Sequence, residues 1–293
     1  MEYVVLSATG RLARLALDSS LAAAHRERAD HKRADHDVIA AVAEAHDGTV
    51  GLVATDGTAY RLETDALPPL DPAELWSLAD APAASVLAGD ATIVGLMTLD
   101  LDAPPLALGT RGGVVKRVVP EYKGWESWEL IALKEDDAVV GCAHAADADD
   151  VVFITSDAQL LRTSAREVRA QGRSAGGMAG IKLGEDASVI WFGAVAKADR
   201  ADAVVATLTA GASGEGTVKT TPFDDYPAKG RATGGVRTHR FLQGQTRLAL
   251  GWVGTPPVRA CDAEGRFRNL PEASDRRDGS GARVSGAFLA LGG

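Results

Sequence analysis

The sequence is poor in cysteine, in aromatic residues and in long apolar runs. Its two cysteines, Cys142 and Cys261, cannot build a disulfide framework and favour a reducing compartment. No apolar run approaches the roughly 20 residues of a membrane-spanning helix. The N-terminus has neither the basic region nor the small-residue cleavage site of a signal peptide. An aromatic content of 5% disfavours stacking on single-stranded nucleic acid.

Motifs for catalysis and for cofactor binding are also lacking. The sequence contains no phosphate-binding loop, no nucleophile elbow and no paired-carboxylate motif. The spacing of His25, His31, His36 and His46 fits no common zinc pattern. We therefore expect neither a cofactor nor a metal.

Basic residues are missing from one long stretch, so the charge of the chain is segregated. The 293 residues carry a formal net charge of −9, yet residues 63–105 contain no Lys or Arg at all. Residues 161–183 and 216–247, by contrast, are rich in Arg and Lys. Because the local field decides what docks at a surface, the net acidity does not exclude a nucleic-acid partner.

Six short apolar segments recur along the chain, each followed by a turn and by a basic residue three or four positions later. Their turn residues lie 47, 56, 45, 58 and 49 residues apart. These turn residues are Gly10, Gly57, Gly113, Ala158, Gly216 and Gly265. Each segment has the composition of a β-hairpin, and a period near fifty residues indicates a repeat architecture.

A second hairpin is predicted in each unit, most clearly in residues 130–145 and 178–196. Six units of about four strands predict an all-β, six-bladed, propeller-like ring that forms one domain over residues 1–293. The expected blades span about residues 3–48, 49–103, 104–148, 149–201, 202–254 and 255–293. Two ordinary β-domains with coincidental hairpins are the alternative.

A glycine-rich motif supports the repeat in an independent way. The string Gly-Arg-x-x-Gly-Gly occurs at residues 172–177 and again at residues 230–235, each time 14 residues after the turn of its unit. Backbone without a Cβ lets a phosphate approach closely, so these loops are candidate anion sites, although a purely turn-forming role is an open alternative.

Basic residues on the second strands are expected to face outward, because apolar residues fill the inner positions of alternating strands. A closed ring would then carry a basic rim, and such a rim would hold the phosphates of duplex DNA without reading sequence. For any single residue, an ordinary solvated side chain is the simpler interpretation. The candidate DNA-binding residues are Lys116, Arg117, Lys123, Arg162, Arg166, Arg169, Arg173, Lys182, Lys219, Lys229, Arg231, Arg237 and Arg240.

Residues 155–190 resemble the repeat in the C-terminal domain of bacterial type IIA topoisomerase A subunits. They match its E-V-R-x-M-G-R-x-A-x-G-V-x-G-I-x-L core at Glu167-Val168-Arg169, Gly172-Arg173 and Gly180-Ile181, and depart from the family pattern at Ala158 and Met178. The resemblance is strong over residues 106–254. It implies a six-bladed β-pinwheel that binds and bends duplex DNA along a basic outer surface.

Within this family, gyrase carries the string Q-R-R-G-G-K-G in its first blade and needs it for chiral wrapping of DNA. No such string occurs here, and the nearest, Thr110-Arg111-Gly112-Gly113-Val114, is a predicted turn in the third unit. The resemblance therefore implies a topoisomerase IV A subunit, whose domain tunes substrate geometry for decatenation and relaxation. The wrapping domain of gyrase A is the alternative.

The family breaks DNA with a tyrosine in a winged-helix domain, and none of Tyr3, Tyr60, Tyr122 and Tyr226 has that setting. We expect an excised C-terminal domain that cleaves nothing alone. The resemblance implies an ATP-dependent parent enzyme, cytoplasmic and nucleoid-associated. Its implied partners are duplex DNA, the rest of its own A subunit, and through it the ATPase B subunit, with no membrane. A protein-interaction scaffold, favoured by the acidic residues 63–105, is an alternative from a different class.

Overall fold

The structure is a computed structural model that describes residues 1–16, 38–70, 91–122, 124–211, 215–271 and 276–293. Its regular structure consists of β-strands, interrupted by single 3₁₀ turns such as Ala165–Glu167 and Phe223–Asp225. Within these ranges, no helix is long and apolar enough to cross a bilayer.

Each of the first five units opens with the predicted hairpin. The paired strands are β1 (Glu2–Ser7) with β2 (Leu12–Ala16), β4 (Thr49–Ala54) with β5 (Thr58–Glu63), β8 (Leu106–Thr110) with β9 (Val114–Val118), β12 (Asp150–Thr155) with β13 (Gln159–Ser164), and β17 (Val204–Gly211) with β18 (Glu215–Pro222). Five of the six predicted turn residues adopt positive φ, as Gly113 does at 82°. Gly216 is the exception, because it lies inside β18.

A third strand pairs with the first strand of each hairpin. These strands are β3 (Ile39–Glu44), β7 (Ile93–Thr98), β11 (Val139–His144), β16 (Val189–Val195) and β20 (Gln245–Gly254), paired with β1, β4, β8, β12 and β17. They contact one another in chain order, and β20 contacts β23 (Ala290–Gly292) of the last unit. A Cβ on Gly292 would lie 2.2 Å from Val38 Cγ1, so the last unit closes against the first. The units therefore form a closed ring with these strands at its inner edge.

The strand at the opposite, outer edge of each sheet comes from the following unit. These lent strands are β6 (Pro69–Leu70) on β2, β10 (Ser127–Glu129) on β5, β14 (Ala170–Gln171) and β15 (Met178–Ala179) on β9, β19 (Val236–Arg237) on β13, and β22 (Ala282–Ser285) on β18. The predicted second hairpins are consequently wrong. Residues 178–179 pair with Val114 and Val115 of the preceding sheet, whereas residues 189–195 pair with β12 of their own.

The number of complete blades also differs from the prediction. The described residues form five sheets of four or five strands, and the sixth unit contributes a two-stranded sheet of β21 (Arg259–Cys261) and β23. The all-β, propeller-like arrangement of repeated sheets is confirmed, whereas six complete four-stranded blades are not found among these residues. The unit boundaries stay a prediction.

The central strands are buried on both faces, and this decides where the basic side chains point. Every residue of β4, β8 and β12 is buried. Leu108 packs into a core with Val53 of the preceding sheet, whereas its neighbour Ala107 packs into a core with Phe153 of the following sheet. Adjacent sheets thus cover each other, and the side chains on both faces of these strands lie inside the protein.

Candidate nucleic-acid interface

The arginine four residues after the turn in each of the first four units holds the segment lent by the next unit. Each guanidinium donates a hydrogen bond to a backbone carbonyl in the segment that leads into the lent strand. The bonds run from Arg14 Nε to Leu67 O (3.1 Å), from Arg61 Nη2 to Tyr122 O (3.2 Å), from Arg117 Nη1 to Val168 O (3.2 Å) and from Arg162 Nη1 to Tyr226 O (3.3 Å). We call these four residues the clamp arginines, because they hold neighbouring units together.

Arg117 and Arg162 therefore do not face outward, and that expectation is wrong for both. Arg117 is only 4% exposed, bonds the carbonyls of Ala145 and Ala165, and pairs with Asp147 at 2.8 Å. The Arg162 side chain is 12% exposed and pairs with Asp150 at 2.6 Å. Neighbouring sheets cover both faces of β9 and β13, so a guanidinium on these strands finds its partners inside the protein.

Lys116 and Lys219, three residues after the turn in their units, are also buried rather than outward-facing. Lys116 Nζ donates to the carbonyls of Leu130 (2.7 Å), Arg173 (2.5 Å) and Ala175 (2.8 Å). Lys219 Nζ donates to the carbonyls of Arg276, at 3.2 Å, and Arg277. Desolvation lowers the pKa of both ammonium groups to about 8.

Three equivalent loops lie at the outer edges of the third, fourth and fifth sheets. We call residues 172–177, 230–235 and 276–281 the arginine loops, because each carries Arg near its start and ends in a glycine with positive φ. In the second loop that glycine is Gly235, with φ of 72°. A Cβ there would lie 2.4 Å from Leu160 O, so the backbone geometry requires glycine.

Hydrogen bonds to backbone carbonyls join the arginine loops of successive units into one continuous line. Arg231 Nη1 donates to Ala179 O at 3.2 Å, and Lys182 N donates to Thr233 O at 3.0 Å. These contacts join the second loop to the segment that follows the first. The third loop is joined in the same way, since Arg277 Nη1 donates to Arg237 O at 3.1 Å and Arg240 N donates to Gly279 O at 3.0 Å.

The cations along this line are exposed or partly exposed, and their side chains form no ion pair with the residues that the structure describes. Lys182, Arg231 and Arg240 are exposed, and Arg173 and Arg277 are partly exposed. We call the whole set the basic strip, and its members are Arg173, Lys182, Arg231, Arg237, Arg240, Arg276 and Arg277. Among the described residues, the side-chain charge of none of the seven forms an ion pair, although the Glu167 carboxylate accepts a hydrogen bond from the backbone N of Arg231 at 3.2 Å. Within the described ranges, these side-chain charges are thus not neutralised by ion pairs, unlike those of the clamp arginines Arg117 and Arg162.

The sequence-based prediction missed Arg276 and Arg277. Their loop ends at Gly281, which lies 16 residues after the turn residue Gly265, whereas Gly177 and Gly235 lie 19 residues after theirs. This deletion of three residues takes the third loop out of register with the Gly-Arg-x-x-Gly-Gly motif. Alignment on the last glycine, rather than on the turn, would reveal it.

The remaining predicted residues are not part of the strip, and one of them already donates a hydrogen bond within the protein. Arg166 and Arg169 are exposed and line a cleft of about 570 Å³ together with Asp102 and Asp147. Lys229 is exposed, but its Nζ donates to Gly235 O at 2.8 Å within the second arginine loop. Lys123 lies outside the described residues.

Comparison with known proteins gives consistent matches. The sequence profile of the family described as "DNA gyrase C-terminal domain, beta-propeller" matches residues 149–196 and 212–238. The gyrase A protein of Deinococcus deserti is 40% identical over 134 residues, which are 44% of this chain and 16% of that protein. The chain thus spans a small part of the curated relatives that it matches.

Two solved structures resemble the whole chain in fold. The C-terminal domain of DNA topoisomerase IV aligns with a TM-score of 0.74 at 19% identity, covering 99% of this chain and 92% of that one. The DNA gyrase A C-terminal domain aligns with a TM-score of 0.65 at 16% identity, covering 99% and 98%. The profile matches the units that carry the first two arginine loops, and the fold likeness extends to the rest of the chain, so the predicted resemblance to the C-terminal domains of type IIA topoisomerase A subunits is confirmed.

Proposed function

We propose that this domain binds duplex DNA along the basic strip. The observation that carries the proposal is a continuous line of seven cations whose side chains form no ion pair among the described residues. Three successive units contribute them, and hydrogen bonds to backbone carbonyls join these units. Arginine side chains bond phosphate oxygens through several donors, and regularly placed cations suit a polymer of regularly placed phosphates. Contacts of this kind position DNA without reading its sequence.

The salt dependence of duplex binding tests the proposal. The logarithm of the association constant should fall linearly with the logarithm of salt concentration, by about 0.9 per phosphate neutralised. The triple variant R173A/R231A/R277A should therefore reduce the magnitude of the slope by about 2.7. Fluorescence anisotropy of a labelled linear duplex, titrated at several salt concentrations, measures both slopes.

A charge-matched control is available in cations outside the arginine loops. Lys134, Lys197 and Arg266 are exposed or partly exposed, and Arg266 is already paired with Asp262 at 3.0 Å. The triple variant K134A/K197A/R266A removes the same formal charge and should leave the slope within about half a unit of the original. Equal effects of the two triple variants would mean that binding depends on overall charge and not on the strip.

The finer proposal is that the domain bends DNA without wrapping it with a fixed hand. Bending is supported by the ring, because successive sheets are rotated about its centre and a strip on their outer edges is curved. The absence of the Q-R-R-G-G-K-G string supports the lack of chirality and favours topoisomerase IV over gyrase as the parent enzyme. Energy transfer between dyes at the two ends of a short duplex should rise on binding.

The handedness has its own test. A nicked plasmid sealed by a ligase in the presence of the domain should keep the linking-number distribution of the same plasmid sealed alone. A shift of the distribution in one direction would identify chiral wrapping and favour the gyrase alternative.

We further propose that the parent protein is the A subunit of an ATP-dependent type IIA topoisomerase, with DNA cleavage performed outside this chain. Its partners in the cytoplasm and on the nucleoid would be the remainder of the A subunit, together with the ATPase B subunit. The acidic residues 63–105 favour a protein-interaction scaffold as the second candidate. Electrophoretic mobility of a linear duplex at low salt separates the two, since a scaffold alone would leave it unshifted at micromolar protein.

A further inference from the structure

We propose that Lys116 and Lys219 are positioning residues that hold the first and third arginine loops in the shape that presents their arginines to DNA. The inference rests on the proposed function of the basic strip. Neither ammonium reaches the surface, since Lys116 is 0% exposed and Lys219 is 2% exposed. Any effect of these two residues on a phosphate therefore acts through the loops.

The two lysines occupy equivalent positions in their sheets. Lys116 lies opposite Leu108 in the β8–β9 hairpin, and Lys219 lies opposite Thr207 in the β17–β18 hairpin. In each case the residue immediately before the lysine borders the final glycine of the loop. A Cβ on Gly177 would lie 2.7 Å from Val115 O, and one on Gly281 would lie 2.3 Å from Val218 O. Each loop thus returns to the outer edge of its sheet beside a lysine.

The two ammonium groups donate hydrogen bonds to backbone carbonyls of these loops. Lys116 Nζ bonds the carbonyl of Arg173 itself and that of Ala175, two residues further along the first loop. Lys219 Nζ bonds the carbonyls of both Arg276 and Arg277. A cation that binds the carbonyls of a loop turns those oxygens inward, so the arginine side chains on the same residues project from the outer edge.

The second arginine loop provides an internal comparison. At the equivalent position the fourth unit has Leu161, which packs into the core with Phe153. Leu161 has no donor for the carbonyls of that loop, and Gly235 O instead accepts from the exposed Lys229. The leucine makes this unit a natural control, because Leu161→Met changes a side chain at the same place without touching a loop carbonyl.

A double-mutant cycle on duplex affinity tests the inference. One phosphate contact contributes about 0.9 to the log–log salt slope, which is about eightfold in affinity for a tenfold change in salt. The affinity that R173A loses relative to the wild type should therefore be about eightfold larger in 0.1 M salt than in 1 M salt. If Lys116 acts through Arg173, K116M should weaken binding several-fold alone and by less than twofold in the R173A background. Additive losses in the double variant would overturn the proposal. Leu161→Met should leave the affinity unchanged.

Hydrogen exchange in the first arginine loop and a mutant cycle at the third loop test the inference independently. Backbone hydrogen exchange in residues 172–177 should accelerate in K116M while the β8–β9 hairpin stays protected, and unchanged exchange would overturn the inference. If K116M does not fold, the same cycle with K219M and R277A decides the matter. An R173A variant that binds DNA as tightly as the original would instead contradict the proposed function, because the lysine would then have no contact to position.

The pH profile of affinity should follow the same lysines. Glu129 is the charged group whose field acts on Lys116, while Asp225, Asp278 and Arg277 act on Lys219. Wild-type affinity should fall between pH 7 and pH 9 as the two ammonium groups, with pKa values of about 8, lose their protons. The K116M/K219M variant should have a flat profile over this range, and equal slopes for the two proteins would count against the proposal.

Discussion

The guanidinium of Arg173 lies 3.9 Å above the ring of Trp125, so an aromatic side chain of the third unit supports an arginine of the fourth. A cation over an indole face is stabilised by about 0.5–1 kcal/mol at accessible sites. The contact fixes the guanidinium at the outer edge of the third sheet. It also restricts the rotamers of a long side chain, which would lower the entropy cost of binding DNA at this residue.

Substitution of Trp125 by leucine should therefore weaken duplex binding by about two- to fivefold, which corresponds to the loss of a cation–π contact. The effect should require Arg173, so W125L in the R173A background should change the affinity little. Anisotropy titrations of the four proteins measure this coupling. An equal loss in both backgrounds would show that Trp125 contributes to binding by another route.

Arg117→Met should destabilise the fold and leave the DNA contact intact. The substitution removes the donor that bonds the carbonyls of Ala145 and Val168 and the carboxylate of Asp147, which costs about 3 kcal/mol in the free energy of unfolding. The Ala165 carbonyl keeps the backbone N of Val168 as a donor at 3.0 Å. Denaturant unfolding measures the loss. Arg111→Met, at an exposed position in the same unit, is the matched control and should cost less than about 0.5 kcal/mol. A reduced salt slope of duplex binding in the folded Arg117→Met protein would show that this arginine contributes to the DNA contact.

Hairpin positions and the repeat could be predicted from sequence because they depend on local signals. Gly113 and Ala158 were identified as turns from the residues around them, and both adopt positive φ. Strand exchange could not be predicted in this way. Ala170 and Met178 look like ordinary strand residues, and nothing local shows that they pair with the preceding sheet and not with their own.

The same limit explains which site residues were misassigned. A lysine or arginine beside a turn looks exposed, and only the packing of sheets on both sides shows that Lys116 and Arg117 are buried. The loop cations Arg173 and Arg231 are partly exposed and exposed, because their glycine-rich loops lie at the outer edges of the sheets. The outward-facing assignment is therefore wrong for cations on the strands, whereas those in the first two arginine loops are at least partly exposed.

Glycine is required at one end of the second arginine loop and dispensable at the other. Gly235→Ala should lower the free energy of unfolding by at least about 2 kcal/mol, because it combines a left-handed backbone with a backbone oxygen 2.4 Å from the new Cβ. The Cβ of Gly230→Ala would meet only the Glu167 carboxylate, at an ordinary 3.8 Å, so this control should change stability by less than about 0.5 kcal/mol. Thermal unfolding of the two variants makes the comparison. Similar losses would mean that the loop adapts to a side chain at Gly235.

His239 should make the fold sensitive to mild acid. The ring is 1% exposed and contacts Thr207, Thr217 and the carbonyl of Ser280 in the third arginine loop. Burial, followed by the nearby charge of Lys219, lowers the pKa of His239 from 6.5 to about 4. The unfolded chain therefore binds more protons than the folded one between these values, so the stabilising effect of the neutral ring is complete above pH 6.5 and is lost as the pH falls toward 4.

The size of this effect follows from the same shift. At pH 5 the loss is about 2 kcal/mol relative to pH 7, and it approaches about 3 kcal/mol near pH 4. Carboxylates titrate in the same range, so the informative quantity is the difference between the wild type and His239→Gln in denaturant unfolding at pH 7 and pH 5. The glutamine variant cannot take up the proton and should lose about 2 kcal/mol less over this interval. Parallel pH dependences would place the acid sensitivity in the carboxylates, and the buried imidazole would then have no part in it.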